Sequence, residues 1–199
     1  MNITKQITGI VLSGGKSSRM GKEKGLCILN NKPLVEYSVE ILKQVCDKIL
    51  ISTNFDLYNY LQLPVIKDEI KGIGPIGGLY SCLKKSETAD NFVLSCDMPL
   101  ISVDLINYII KNKNNYQVVI PVFGEYSEPL CAYFRKDAEI ILKKSIEDKD
   151  YKIQNSIKKL EFKFIKIDST LEFYHQKLFA NVNTQDDLME IEEFLNTKR

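Results

Sequence analysis

The chain has no tryptophan, one histidine (His175), six prolines and no apolar run near the 18 or so residues that a membrane helix needs. It has no surplus of either charge: 27 Lys and Arg stand against 26 Asp and Glu, a formal net charge of +1. Each shortage excludes something. One histidine cannot build a histidine-rich metal centre, and it makes a histidine-based nucleophilic triad a poor fit. Balanced charge argues against a general nucleic-acid or membrane-surface binder, which carries a basic excess or stripe, but it is silent about one local basic pocket. The five cysteines (Cys27, Cys46, Cys82, Cys96 and Cys131) are odd in number and contain no C-x-x-C pair. Buried free thiols in a reducing compartment are therefore expected rather than a disulfide framework or zinc ribbon. The residues before Gly14 hold too short an apolar run for a secretory core, so the expected location is cytoplasmic.

At about 150 residues per domain, the 199 residues favour one domain over 1–199. With 44% hydrophobic residues the chain can fill one large core. Short apolar runs alternate with helix-like patterns along its whole length. Thr8 to Leu12, Ile49 to Ser52, Val65–Ile66 and Asn91 to Ser95 read as strands, and Tyr116 to Val122, Pro129 to Phe134 and Phe162 to Ile167 as further ones, the last an edge strand. Pro33 opens a helical pattern with Leu34, Tyr37, Ile41, Leu42 and Val45 on one face. Helices are also expected over Ile76 to Lys85, after a Ser102 cap, over Ala138 to Ile146, and over Tyr151 to Leu160. Thr184 with Asp187 forms a capping box for a last helix through Leu195. This alternation predicts an α/β fold, a mainly parallel central sheet with helices on both faces. Ligands of such sheets sit beyond the carboxyl ends of the strands, which directs attention to the loops after Leu12, Ser52, Ile66 and Ser95.

The first of these loops is the most informative: Gly14-Gly15-Lys16-Ser17-Ser18-Arg19-Met20-Gly21-Lys22-Glu23-Lys24. Glycines after a strand let backbone N–H groups approach phosphate oxygens, and basic side chains neutralise the charge. A Walker A loop is excluded, because its leading glycine would have to stand at Ile10. Gly72-Ile73-Gly74-Pro75-Ile76-Gly77 fits G-x-G-x-x-G with Asp97 about 20 residues on, yet no long strand precedes it and Pro75 interrupts the turn.

The string Leu12-Ser13-Gly14-Gly15-x-Ser17-x-Arg19-Met20-Gly21 followed by Lys24 resembles the signature loop of nucleotidyltransferases with a Rossmann-like fold. Within that superfamily it is most similar to the molybdenum cofactor guanylyltransferases, the MobA family, with Ser13 for a common alanine and Glu23 for a common aspartate. Asp68 with Gly74-Pro75-Ile76-Gly77-Gly78-Leu79, Cys96-Asp97-Met98-Pro99, and Phe179-Ala180-Asn181-Val182-Asn183-Thr184 resemble further family segments in the same order. The resemblance covers residues 8 to about 195.

The resemblance implies a Mg²⁺-dependent enzyme that moves GMP from GTP onto the phosphate of a molybdopterin-type acceptor and releases pyrophosphate. Asp97 ends an apolar strand, where an unpaired carboxylate is costly, so it is either a local cap or a ligand. The family assigns it as the Mg²⁺ ligand, a role that suits a hard cation held by one or two carboxylates plus phosphate oxygens. Asn183 is either a second ligand or a cap of the last helix. Arg19 and Lys24 are expected on the β- and γ-phosphates, with Lys16 and Lys22 solvated. Leu12, Ser13 and Gly14 are expected to give backbone contacts to the nucleotide, and Asn54 and Asp68 to complete the nucleoside pocket. Glu128-Pro129-Leu130 resembles an acceptor-side segment but suits an ordinary strand equally, and His175 reads as a loop residue without special chemistry. Partners expected on this reading are GTP, the acceptor, and transiently other cofactor-biosynthesis proteins or recipient enzymes. Two alternatives stay open: a cytidylyltransferase or a relative with another phosphate acceptor, and a non-catalytic nucleotide-binding domain.

Overall fold

A computed structural model describes residues 6–14 and 23–197. Its main sheet has eight strands. In chain order they are β1 (Ile7–Leu12), β4 (Lys48–Ser52), β5 (Val65–Ile66), β6 (Asp90–Ser95), β7 (Val118–Phe123), β8 (Tyr126–Ser127), β9 (Cys131–Arg135) and β10 (Phe162–Ile167); β2 (Ile28–Leu29) and β3 (Lys32–Pro33) form a separate hairpin. Across the sheet the order is β10-β7-β9-β6-β1-β4-β5, with β8 paired to β7. The β6-β1-β4-β5 half is parallel throughout, and β10 runs parallel to β7. The expected mainly parallel sheet is therefore present with one qualification: β9 runs antiparallel to both neighbours. Its Cys131 to Phe134 stretch is buried on both faces, and such a run reads the same in either direction.

Side chains alternate across the pleat and divide the core into two layers. Ile10 and Leu12 of β1 pack with α2 (Pro75–Lys85), α4 (Ala138–Glu147) and α5 (Ile153–Ile157). Val11 faces the other way, toward α1 (Leu34–Leu42) and α3 (Val103–Lys111). The expected helix after Pro33 forms: Leu34 and Leu42 are buried as expected, joined by Val35 and Val39, while Ile41 and Val45 pack part-buried on the same side. Tyr37 instead donates its hydroxyl to the Leu29 carbonyl at 2.8 Å and braces the β2–β3 hairpin. Ser102 caps α3 as expected, accepting from the Leu105 N–H at 3.2 Å. The helix expected over Tyr151 to Leu160 is confined to α5, five residues long.

The last helix, α6 (Gln185–Thr197), begins at the expected capping box. The Thr184 N–H donates to Asp187 at 2.8 Å, and the Asp187 N–H donates back to Thr184 Oγ1 at 3.2 Å. Its Leu188 and Ile191 pack with Val182 on Leu29 and Leu34, in a third cluster beside the sheet. That packing brings the chain's late residues back to the end of the sheet where β1 and β6 stop. Among the described residues, no helix is long and apolar enough to cross a membrane.

Candidate active site

Leu12, Ser52, Ile66 and Ser95 are the last residues of β1, β4, β5 and β6. The register sets Leu12 opposite both Ser52 and Ser95, and Ser52 opposite Ile66. The four strands thus end at one level, and the residues after them leave from one edge. Backbone bonds carry the order one residue further: Ser13 N–H to the Ser52 carbonyl (2.9 Å), Thr53 N–H to Ile66 (3.1 Å) and Cys96 N–H to Leu12 (3.1 Å). Ser13, Asn54, Asp68 and Asp97 accordingly lie at the carboxyl edge, where the sequence placed them.

Lys24 opens a short 3-10 turn (Lys24–Leu26) whose ammonium reaches two oxygens. Its Nζ lies 2.5 Å from Asp97 Oδ2 and 2.7 Å from Asn183 Oδ1. The Lys24 and Asp97 side chains are 21% and 15% exposed, so the pair is only partly screened by water. Asp97 also receives the Val182 N–H on its backbone carbonyl at 2.9 Å, which ties the approach to α6 onto the end of β6. Its second carboxylate oxygen, Oδ1, is buried and has no hydrogen-bond partner among the described residues. A turn cap would have given it one. The Asn183 side chain is not the cap of α6 either, since Thr184 and Asp187 do that work and Asn183 contributes only its backbone N–H, to Asp187 at 2.8 Å.

Asn54 and Asp68 are joined reciprocally across the gap between β4 and β5. Asn54 Nδ2 donates to Asp68 Oδ2 at 2.9 Å, and the Asp68 N–H donates to Asn54 Oδ1 at 3.1 Å. Helix α2 closes directly against them because Gly78 has no side chain: a Cβ there would fall 2.3 Å from Ser52 Oγ and 3.3 Å from Asp68 Oδ1. At Gly14 the reverse holds, since among the described residues a Cβ would meet nothing within 4 Å. That open backbone lies where the chain leaves β1.

One residue was not singled out by the sequence. Tyr58 is fully buried in the loop after β4. Its hydroxyl lies 2.7 Å from Ser13 Oγ and donates to Glu23 Oε1 at 3.0 Å, so it joins the residues on either side of the glycine loop. Burial holds the phenol well above its ordinary titration range, and burial also raises the Glu23 carboxyl against the opposing hydrogen bond from Tyr58. Glu128, in the segment that resembles an acceptor-side stretch, accepts the Leu130 N–H at 3.3 Å. Its carboxyl is raised chiefly by burial; the Leu130 bond opposes this, and the negative charge of Asp97 adds to it. Arg19, with Lys16 and Lys22, lies outside the described residues.

The donor set is oxygen-rich. Among the described residues no group of three His, Cys, Asp or Glu side chains converges as a closed metal cage. The Asp97 carboxylate, with one oxygen buried and unpartnered among the described residues, and the Asn183 amide oxygen fit a hard divalent cation that draws its other ligands from phosphate and water. Cys96 adjoins Asp97 but offers no thiolate at neutral pH, because burial pushes its thiol up to about 12. All five cysteines are free, as expected. The His175 ring lies 5.4 Å from the Phe194 ring, among the residues packed around α6.

Comparisons with known proteins show what the chain is similar to. Residues 9–161 match the model of the MobA-like NTP transferase domain. A probable molybdenum cofactor guanylyltransferase of Flavobacterium johnsoniae is 34% identical over 93% of this chain and 96% of its own length. One of the same description from Thermococcus sibiricus is 35% identical over 92% of this chain and 96% of its own. The crystal structure of molybdopterin-guanine dinucleotide biosynthesis protein A from Archaeoglobus fulgidus superimposes with a TM-score of 0.83 at 26% identity, covering 96% of this chain and 99% of that one. The family match runs from within β1 to the residue before β10 and takes in the glycine loop, Asn54, Asp68 and Asp97, and on that extent the chain belongs to the MobA-like NTP transferase family of nucleotidyltransferases.

Proposed function

We propose that this chain is a cytoplasmic, single-domain guanylyltransferase that moves GMP from GTP onto the phosphate of a molybdopterin-type acceptor. The observation that carries the reading is the meeting of Lys24, Asp97 and Asn183 at the carboxyl edge of the sheet, beside the open backbone of Gly14. The relatives' descriptions support the choice of guanine and of acceptor.

The chemistry asked of the protein is modest. An acceptor phosphate oxygen forms a bond to the α-phosphorus of GTP while the bond from that phosphorus to the departing pyrophosphate oxygen breaks. No protein nucleophile takes part. Asp97, with Asn183 beside it, is the candidate holder of Mg²⁺, which when bound would neutralise charge on the phosphate oxygens. Lys24 and Arg19 offer positive charge to the leaving pyrophosphate, electrostatic stabilisation aimed at where charge develops. The backbone of Leu12, Ser13 and Gly14 meets the nucleotide, and the Asn54–Asp68 pair closes the nucleoside side. The product would pass to recipient enzymes or to other proteins of the same biosynthesis.

Pyrophosphate release with GTP, Mg²⁺ and molybdopterin tests the reading. Turnover with GTP well above that with CTP, and lost by two or more orders of magnitude in Asp97→Asn, is the expected result. Preference for CTP would move the chain to the cytidylyl branch. Binding of GTP without turnover on any phosphate acceptor would make it a nucleotide-binding domain.

A further inference from the structure

The Asp97–Asn183 seat is filled. Two oxygens suited to a hard cation, one carboxylate and one amide, converge on a single point, and the Lys24 ammonium stands there at 2.5 and 2.7 Å. We infer that Lys24 is the resident cation of this seat in the nucleotide-free protein, and that a divalent ion entering with nucleotide must displace it. The inference rests on the reading of Asp97 as a metal ligand, and it adds that the protein's own lysine competes for the same oxygens.

Three observations lead to it. The ammonium is within hydrogen-bonding reach of both oxygens and pairs in charge with the carboxylate, so it is engaged rather than passing by. The two side chains are 21% and 15% exposed, which leaves no room for two positive charges to be kept apart by bulk water at one carboxylate oxygen. The other oxygen, Asp97 Oδ1, is buried without a partner among the described residues, so the ammonium leaves part of the carboxylate's donor capacity unused. A lysine suits the part because its four-carbon stem can carry the charge elsewhere without moving the backbone. Leaving costs it a paired carboxylate, and phosphate oxygens offer an equivalent partner. Metal binding in the free protein is thereby penalised, and nucleotide lifts the penalty by giving Lys24 somewhere to go. Nucleotide and metal then favour each other's binding through one side chain.

The experiment uses the full chain and Mn²⁺ as a paramagnetic probe, with bound and free ion separated by electron paramagnetic resonance. Without nucleotide, Lys24→Met is expected to bind Mn²⁺ about tenfold or more tighter than the parent, within the usual range of coupling between exclusive ligands. Lys48→Met, which removes the same charge at the opposite end of β4, is expected to change nothing. Adding Asp97→Asn to Lys24→Met is expected to abolish the gain. In the ternary complex, followed by water proton relaxation, GTP is expected to tighten Mn²⁺ binding more in the parent than in Lys24→Met. Lys24→Gln repeats the measurement if the methionine variant melts abnormally. Equal affinity of the parent and both Lys24 variants, with Asp97→Asn still weakening Mn²⁺ in the ternary complex, overturns the displacement and leaves the metal reading standing. Unchanged Mn²⁺ binding by Asp97→Asn in the ternary complex overturns both.

Discussion

The Tyr58 hydroxyl sits 2.7 Å from Ser13 Oγ, in a position with no exposure to solvent. Because the phenol proton is given to Glu23, the Ser13 hydroxyl must donate to the phenol oxygen. A single buried group thus fixes the residue that leaves β1 and the residue that re-enters ahead of Lys24. Gly25 makes the fit possible, since a Cβ there would fall 2.3 Å from Ser13 Oγ and 2.4 Å from the Tyr58 oxygen. Tyr58→Phe keeps the ring and removes the linkage. It is expected to cost about 1–3 kcal/mol, the scale for leaving buried polar groups unpaired. Affinity for GTP is expected to fall as well, because Ser13 loses its anchor. Chemical denaturation and calorimetric titration of GTP check both effects, and a variant with parental affinity would reduce Tyr58 to a packing residue.

Lys24→Ala is expected to lower turnover by about 10²- to 10³-fold, the usual scale for one lost donor to developing charge. On sequence alone its melting temperature is expected to stay put, because a glycine-loop lysine reads as solvent-exposed. The structure alters that expectation, because the ammonium partners Asp97 and Asn183. Its loss leaves Asp97 without a counter-charge in a partly buried site, at a cost of about 1 kcal/mol. For a chain of this size that is a drop of roughly 2–4 °C. A scan of the parent and Lys24→Ala, each without nucleotide, measures it.

Glu128 gives a pH signature. Burial raises its carboxyl in the folded state above the unfolded value, so folding favours the protonated form. The stability linked to that proton is fully present below the unfolded pKa and is lost as pH rises through the folded one. At neutral pH the ionised group therefore weighs against the fold. Glu128→Gln retains an oxygen for the Leu130 N–H and removes the charge. It is expected to melt higher than the parent at pH 8, with the difference shrinking toward pH 4. Melts across that range decide it, and a constant difference would mean that the substitution acts through packing.

Much of the site was legible because it depends on local chain features. The apolar runs ending at Leu12, Ser52, Ile66 and Ser95 mark strands, and parallel register then delivers the following residues to one edge. The capping box at Thr184 is a three-residue signal and is found intact. What escaped depends on contacts far apart in sequence. Nothing near Lys24 announces Asn183, 159 positions away, and their meeting follows from how α6 packs on Leu29 and Leu34. Tyr58 sits in a loop with no periodicity to mark it as core. The β2–β3 hairpin is two residues per strand, too short for alternation to register. Its one signal was Asn30-Asn31, which both take left-handed φ values (46° and 63°) at the turn.

The reciprocal pair of Asn54 and Asp68 separates binding from chemistry. Asp68 receives one hydrogen bond on its carboxylate and gives another from its backbone, both to the same amide side chain. It therefore owes its position to Asn54. Neither residue is bonded to Lys24 or Asp97 among the described contacts, so their loss need not disturb the reacting phosphates. Asn54→Ala removes a hydrogen bond to a charged group, worth about 1.5–3 kcal/mol, and leaves the carboxylate free to turn. If the pair holds the nucleoside equally in the ground and transition states, that energy appears in KM alone. The KM for GTP is expected to rise by roughly ten- to a hundredfold, with kcat within a few-fold of the parent. Steady-state kinetics with saturating acceptor test this, and Asp68→Asn provides the companion case, retaining shape while removing the charge. A fall in kcat at unchanged KM would transfer the pair from nucleoside binding to the chemical step.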